Sequence, residues 1–294
     1  MRKKKMSENG KMPGTPGILY LCATPIGNLE DMTYRAVRLM GEVPLIAAED
    51  TRHTRKLLAH FDLHTPLVSY HEHNKLEKGG ELIEHLLSGQ DLLLVSDAGL
   101  PGIADPGSLL AQQAIEAGIR VVPLPGANAA LSALICSGLD TVRFSFVGFL
   151  PRTAARRSEV LASVAAREDT LIFYEAPHHL KGTLKEITAA LGGGRRAVLA
   201  RELTKHFEEF ERDTLDGLNA LYTEKEPRGE YVIVVAGADG EAAAPQEETR
   251  APAALVAELM AGGLGKKEAM RETAKRLGLS RREVYRQLLE EEQD

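Results

Sequence analysis

The sequence predicts an α/β protein built from two successive α/β domains and a small helical segment. Three observations carry that prediction. Apolar strand-like runs alternate with helical patterns from Gly17 to about Gly237. The alternation weakens after Gly138 and restarts at Arg143. A stretch rich in Ala, Gly, Glu and Pro then leads to an end that is purely helical in pattern. The expected organisation is a flexible tail over 1–16, domains over 17–138 and 139–237, a linker over 238–250, and a helix-turn-helix-like segment over 251–294.

In the first domain, strands are expected at Ile18 to Cys22, Leu45 to Ala48, Leu67 to Tyr70, Leu92 to Val95 and Ile119 to Leu124. The run Leu92 to Val95 has no polar residue, the pattern of a strand buried on both faces of a largely parallel sheet. Helices are expected between them at Met32–Met40, Thr51–His60, Leu76–Leu87, Ser108–Ala117 and Ala127–Ser137. In the second domain, strands fit Arg143 to Gly148, Leu171 to Tyr174, Val198 to Arg201, Glu208 to Thr214 and Tyr231 to Val235. Helices at Ala155–Ala166, His178–Leu191 and Leu215–Tyr222 separate them. Near the end, Ala274, Gly278, Ser280, Val284 and Leu288 have the spacing of a helix-turn-helix. Gly278 suits the turn, and Ser280 with Glu283 forms a capping box. Lys266 to Arg286 carries eight Lys or Arg against three Glu, which suits either a phosphate backbone or a solvated helical hairpin.

Composition bounds the function. The 294 residues can hold two ordinary domains, and the net charge of −6 gives no global basic field for nucleic acid. The two cysteines, Cys22 and Cys136, exclude a disulfide framework or a cysteine-rich zinc site and suit a reducing cytosol. No apolar run approaches the ~18 residues of a membrane span. The basic start, Met1 to Lys5, lacks the apolar region of a secretory signal.

Chemistry concentrates where strands end. Asp91 to Gly107 is an apolar strand that breaks into a loop of glycines, prolines and the carboxylates Asp97 and Asp105. Open α/β sheets bind ligands at such carboxyl ends; a tight strand-to-helix turn fits the same residues equally. Thr24-Pro25-Ile26-Gly27-Asn28 follows the first strand and could touch substrate or cofactor, or simply connect. It lacks the Gly-x-Gly-x-x-Gly and Gly-Lys-Ser/Thr phosphate patterns, against nicotinamide enzymes and P-loop NTPases. Glu49-Asp50 ends a strand and Asp50 can cap the next helix, on which Arg52, Arg55 and Lys56 share one face. His71 and His73 have no third ligand at a recognisable metal spacing, so no metal is expected. The turn Pro125-Gly126-Ala127-Asn128 leaves helix N-terminal N–H groups for a ligand or a cap. Phe173-Tyr174-Glu175-Ala176-Pro177-His178, Arg201-Glu202-Leu203-Thr204-Lys205 and Pro227-Arg228-Gly229-Glu230 could form the other wall of a cleft, or ordinary solvated ends.

Taken together and in order, these loops resemble the tetrapyrrole methylase superfamily over about residues 17–237, and more closely its RNA-modifying branch. Corrin-ring methylases usually open with a more glycine-rich loop and carry Gly-Asp-Pro after the fourth strand. This sequence has Ser96-Asp97-Ala98 there. The resemblance implies that S-adenosyl-L-methionine is held in a cleft between two α/β domains. It implies a cytoplasmic homodimer that methylates the ribose 2′-oxygen of a cytidine in the decoding region of 16S rRNA, on the small ribosomal subunit, away from any membrane. The implied cofactor residues are Asp97, Gly99, Pro101, Gly102, Gly126, Ala127, Asn128, Tyr174 and Leu203, with Thr24 and Pro25 as further candidates. Arg52, Arg55 and Lys56 are the candidates for RNA phosphates. The poorly acidic hydroxyl needs a base, for which Glu49, Asp50, His71 and Glu175 stand unranked. A small-molecule tetrapyrrole methylase, a helix-turn-helix regulator and a nucleotide-binding module without catalysis are the rival readings.

Overall fold

The computed structural model describes residues 14–105, 107–238, 252, 256, 259–260, 265–276, 284 and 286. The chain up to Ala238 forms one compact unit, and a second begins at Asp239.

The first sheet contains β1 (Ile18–Cys22), β2 (Ile46–Ala48), β3 (Leu67–Ser69), β4 (Leu92–Val95) and β5 (Arg120–Leu124), in the order β3-β2-β4-β1-β5. Every pairing is parallel. Apolar runs can be buried on both faces only if helices cover both. Here α1 (Tyr34–Glu42) and α2 (Thr51–His60) cover one face through Leu39, Met40, Leu57 and Leu58. The other face is covered by α3 (Lys75–Leu87) and α4 (Gly107–Glu116) through Leu82, Leu86 and Leu110. Each fully buried leucine of this kind stabilises the fold by about 1.5–3 kcal/mol relative to exposure. Pro123 sits in β5, an edge strand, where its missing N–H leaves no gap in the interior of the ladder.

The second sheet contains β6 (Phe144–Phe149), β7 (Thr170–Glu175), β8 (Arg196–Arg201), β9 (Glu209–Thr214) and β10 (Tyr231–Val235), in the order β6-β7-β10-β8-β9. Only β6 and β7 run parallel; the other three pairings are antiparallel. One face is buried under α6 (Ala154–Val164), α7 (Pro177–Leu191) and α8 (Leu215–Glu224). The opposite face is covered by one helix, α5 (Ala129–Ser137), whose Ala130, Ala133 and Leu134 pack on Ile172, Val198, Val232 and Val234. Sequence alternation groups α5 with the first sheet, whereas packing groups it with the second.

The strands and helices expected over 17–237 are present, and caps move the starts of two helices. Helix α1 starts at Tyr34 rather than Met32 because the Thr33 hydroxyl accepts from the Ala36 N–H. Helix α5 starts at Ala129 rather than Ala127 because Asn128 accepts from the Leu131 N–H. Strand β6 runs to Phe149, one residue past the expected end, through an irregularity at Val147. Cys22 is buried and Cys136, on α5, is exposed; both are free thiols.

In the second unit, α9 (Lys266–Arg276) is helical. Ala269, Ala274, Val256 and Val284 share a small core with Leu259 and Met270. The expected turn and cap residues Gly278, Ser280 and Glu283, and Leu288, lie outside the described residues, as do residues 1–13 and 239–250 of the expected tail and linker.

Candidate active site

The loops after β1, β2, β4 and β5 lie at one edge of the first sheet, as its all-parallel order requires. They form one wall of a cleft of about 470 Å³, and the second sheet forms the other. Two loops of the first wall are bound together. Thr24 and Gly99 exchange backbone hydrogen bonds of 2.9 and 3.0 Å, and the Thr24 hydroxyl donates to the Ser96 carbonyl at 3.2 Å. Gly99 and Gly102 have φ of +77° and +91°, which favour glycine. The Asp105 carboxylate accepts from the Gly102 and Gly107 N–H groups at 2.8 and 2.7 Å and so holds the loop's far half.

Asp97 and Glu49 meet across β2 and β4. Asp97 Oδ1 accepts from the Asp50 N–H at 3.0 Å, and Glu49 Oε2 accepts from the Asp97 N–H at 3.3 Å. Burial pushes the Glu49 carboxyl above the ordinary glutamate range. The Asp97 N–H pulls the other way, and the carboxylates of Asp97 and Asp105 add to the rise. Burial likewise raises Asp105, against the pull of its amide donors.

The four candidate bases are thereby separated. Glu49 and Glu175 line the cleft. Glu175 is only 8 % exposed, and both its oxygens are engaged, by the Ala176 N–H and by the Thr183 hydroxyl at 2.5 Å. Asp50 caps α2 and forms a two-pronged pair with Arg52; the guanidinium holds its carboxyl well below the usual range. It does not line the cleft. His71 does not line the cleft but lies close enough to Glu49 to lower its pKa, and the His71 Nδ1 is buried without a hydrogen-bond partner among the described residues.

The candidate cofactor residues divide in the same way. Asp97, Gly99, Asn128, Tyr174 and Leu203 line the cleft. Thr24 is buried and braces Gly99, and Pro25 follows it in the same loop. Pro101 and Gly102 border a separate hollow beside α4. Gly126 packs on Ala23, where a Cβ would come within 2.8 Å of the alanine's. Ala127 does not line the cleft and presents its carbonyl toward Gly99. At the start of α5, Asn128 and the Tyr174 hydroxyl already take the Leu131 and Ala130 N–H groups, the latter at 3.2 Å. Two of the N–H groups expected to await a ligand are therefore used within the fold.

The second wall was legible only in part. Tyr174, Leu203 and Glu230 belong to strand ends visible in the sequence. Phe149, Ala200, Tyr231 and Val232 also line the cleft, and nothing in their spacing marked them. Leu203 is presented by a strained turn: Glu202 and Thr204 on either side have φ of +50° and +66°, uncommon outside glycine and rare for a β-branched residue such as Thr204. Lys205 ties this turn down, donating to Glu202 and Glu230 at 2.8 Å each. The turn presses on Gly27, where a Cβ would lie 2.4 Å from Lys205 Cγ and 2.9 Å from the Leu203 carbonyl.

Five carboxylates line the cleft, from Glu49, Asp97, Asp105, Glu175 and Glu230, and no lysine or arginine does among the described residues. Such a cavity favours a cationic ligand over a phosphate. The cations stand outside. Arg55 and Lys56 are exposed on α2 with no acidic partner among the described residues, while Arg52 is held by Asp50. Among the described residues, no cluster of three His, Cys, Asp or Glu could hold a metal, and no helix is long and apolar enough to cross a membrane.

The chain is similar to proteins called ribosomal RNA small subunit methyltransferase I. It is 50 % identical to that of Synechocystis sp. over 278 residues, covering 95 % of this chain and 99 % of the relative. It is 49 % identical to that of Halalkalibacterium halodurans (92 % and 93 % covered) and 46 % identical to that of Bacillus subtilis (97 % and 98 %). Among solved structures, diphthine synthase aligns with a TM-score of 0.57 at 16 % identity, covering 75 % of this chain and 89 % of that one. Uroporphyrin-III C-methyl transferase from Thermus thermophilus, complexed with S-adenyl homocysteine, aligns with a TM-score of 0.54 at 17 % identity (75 % and 97 %). These two likenesses establish the fold alone. Residues 18–219 match the family of Tetrapyrrole (Corrin/Porphyrin) Methylases, and the chain belongs to that family.

Proposed function

We propose that the chain is an S-adenosylmethionine-dependent methyltransferase of small-subunit ribosomal RNA, acting on the ribose 2′-oxygen of a cytidine in the decoding region. The observation that carries this reading is similarity at 46–50 % identity, over nearly the whole chain, to proteins named for small-subunit rRNA methylation. The cleft suits the cofactor on independent grounds. Its volume falls in the range of about 300–1,000 Å³ usual for small-molecule sites, and its carboxylates complement a cation. When bound, S-adenosylmethionine supplies an electrophilic methyl group on a positively charged sulfur.

The residues then divide the work. Asp97, Asn128, Tyr174 and Leu203 hold the cofactor, with Gly99 allowing close backbone approach. Glu49 is the base: it lines the cleft, only one of its oxygens accepts a hydrogen bond among the described residues, and burial raises its proton affinity. It draws the proton from the ribose hydroxyl as the oxygen approaches the methyl group in line. Arg55 and Lys56 hold RNA phosphates outside the acidic cleft. The protein works in the cytoplasm as a homodimer, a reading supported by large apolar side chains left exposed, Ile135, Val142 and Phe144 among them.

The deciding experiment incubates the protein with labelled S-adenosylmethionine and unmodified small subunits, then maps the labelled nucleoside. A 2′-O-methylcytidine in the decoding region is the expected product. Label on uroporphyrinogen and none on the subunit would overturn the reading in favour of a small-molecule methylase.

A further inference from the structure

Strand β6 carries Phe144, Phe146 and Phe149 along the edge of the second sheet. In a regular strand, Phe146 and Phe149 would face opposite sides, being three residues apart. The pairing with β7 is not regular. Phe146 stands opposite Ile172, Gly148 opposite Phe173 and Phe149 opposite Tyr174, so β6 holds one extra residue. This is a β-bulge, and it turns Phe149 onto the face shared by Phe146, Ile172 and Tyr174. Gly148, at φ +74°, supplies the left-handed residue the bulge uses.

An aromatic group at the cleft results. The Tyr174 ring meets Phe146 at 5.0 Å and Phe149 at 5.5 Å, both edge-on. The Tyr174 hydroxyl is fixed by the Ala130 N–H. Phe149 is therefore held from behind, yet 57 % of it is exposed and it lines the cleft. A large apolar ring fixed by a bulge and left bare beside a ligand cavity is unexplained by packing. Just beyond it, Arg152 and Arg156 are exposed and have no acidic partner among the described residues. Unstacked RNA bases are recognised by such pairings of aromatic faces and cations.

We propose that Phe149 is the platform on which the base of the target nucleotide stacks, with Arg152 and Arg156 holding its flanking phosphates. A nucleotide drawn out of its strand so places its ribose in the cleft while its base rests on the rim. The inference rests on the RNA-methylating function above and names the specificity contact for it.

The test uses the full chain and three arms. The first is methyl transfer by the unaltered protein to unmodified small subunits; failure there sinks the functional reading itself. With that activity present, Phe149→Ala lowers kcat/KM for the subunit by about 10-fold or more, while affinity for S-adenosylhomocysteine changes by less than about 3-fold. Phe149→Leu, which keeps apolar volume without the ring, gives the same split if the alanine variant folds poorly. In the third arm, Phe149→Trp introduces the chain's sole tryptophan, since the sequence has none. Its fluorescence is quenched on adding a decoding-region oligonucleotide. Unchanged kcat/KM in both truncated variants overturns the proposal. Quenching by S-adenosylhomocysteine alone, with equal loss of cofactor and RNA affinity, also overturns it and makes Phe149 a cofactor contact.

Discussion

The two sheets enclose one cleft and contribute to it by different physics. The first is wholly parallel, so every strand ends at the same edge and the loops there collect backbone groups and carboxylates. The second is mixed, and its cleft wall combines side chains of β7, β8 and β10 with a bulge in β6 and one strained turn; it is largely apolar and aromatic. A parallel sheet provides polar chemistry as a consequence of its topology. The mixed sheet here provides a shaped apolar surface, to which local irregularities add Phe149 and Leu203.

That contrast can be broken most severely at Glu49. Replacing it with Gln is expected to lower kcat by about 10²–10³-fold with cofactor affinity nearly unchanged. The sign of the pH dependence follows from its raised pKa. The working form is the carboxylate, so activity falls as pH drops through a value above the ~4.3 of free glutamate. That acid limb should vanish from the residual rate of Glu49→Gln; a limb unchanged in the variant would assign the base elsewhere.

The junction between the walls is the next test. Gly27→Ala puts a methyl group into the Leu203–Lys205 turn, and backbone there cannot yield as a side-chain tip can. Cofactor affinity, measured by calorimetry, should weaken by about 10-fold, with Tm lowered by several degrees. Unaltered affinity would mean that the strained turn does not shape the cofactor site.

Outside the cleft, Arg55→Glu should weaken RNA binding by about 10-fold and flatten its salt dependence, with cofactor affinity intact. Arg52→Glu should cost less RNA affinity, because Arg52 is already engaged by Asp50. Equal RNA losses would refute that ranking. The smallest effect is expected in the second unit, where Lys267→Glu with Arg271→Glu alters two exposed cations of α9. A drop of about 2–3-fold in subunit affinity is expected, and none would remove α9 from the RNA surface.

The sequence revealed the first sheet almost completely because parallel strands bury both faces and read as unbroken apolar runs, as in Leu92 to Val95. It also revealed the loops that follow those strands. It could not rank Glu49 above Asp50, since both are carboxylates at the same strand end; only the pairing of Asp50 with Arg52 and the burial of Glu49 separate them. Pro101 and Gly102 belong to the loop that reaches the cleft, yet they border the hollow beside α4, a difference that the order of residues in the loop does not reveal. Phe149 was invisible because a bulge changes which face a side chain takes without leaving any periodic trace. The allegiance of α5 escaped for a related reason: neighbours in sequence need not be neighbours in packing.

The two cysteines have a practical consequence. Burial pushes the Cys22 thiol up to about 12, so near neutral pH it carries almost no thiolate and is closed to reagents. Cys136 stands exposed on α5, the helix whose first residue, Ala129, borders the cleft. The natural protein is therefore addressable at one position by a maleimide dye or spin label, without engineering, and that probe would report on a helix that begins at the cleft.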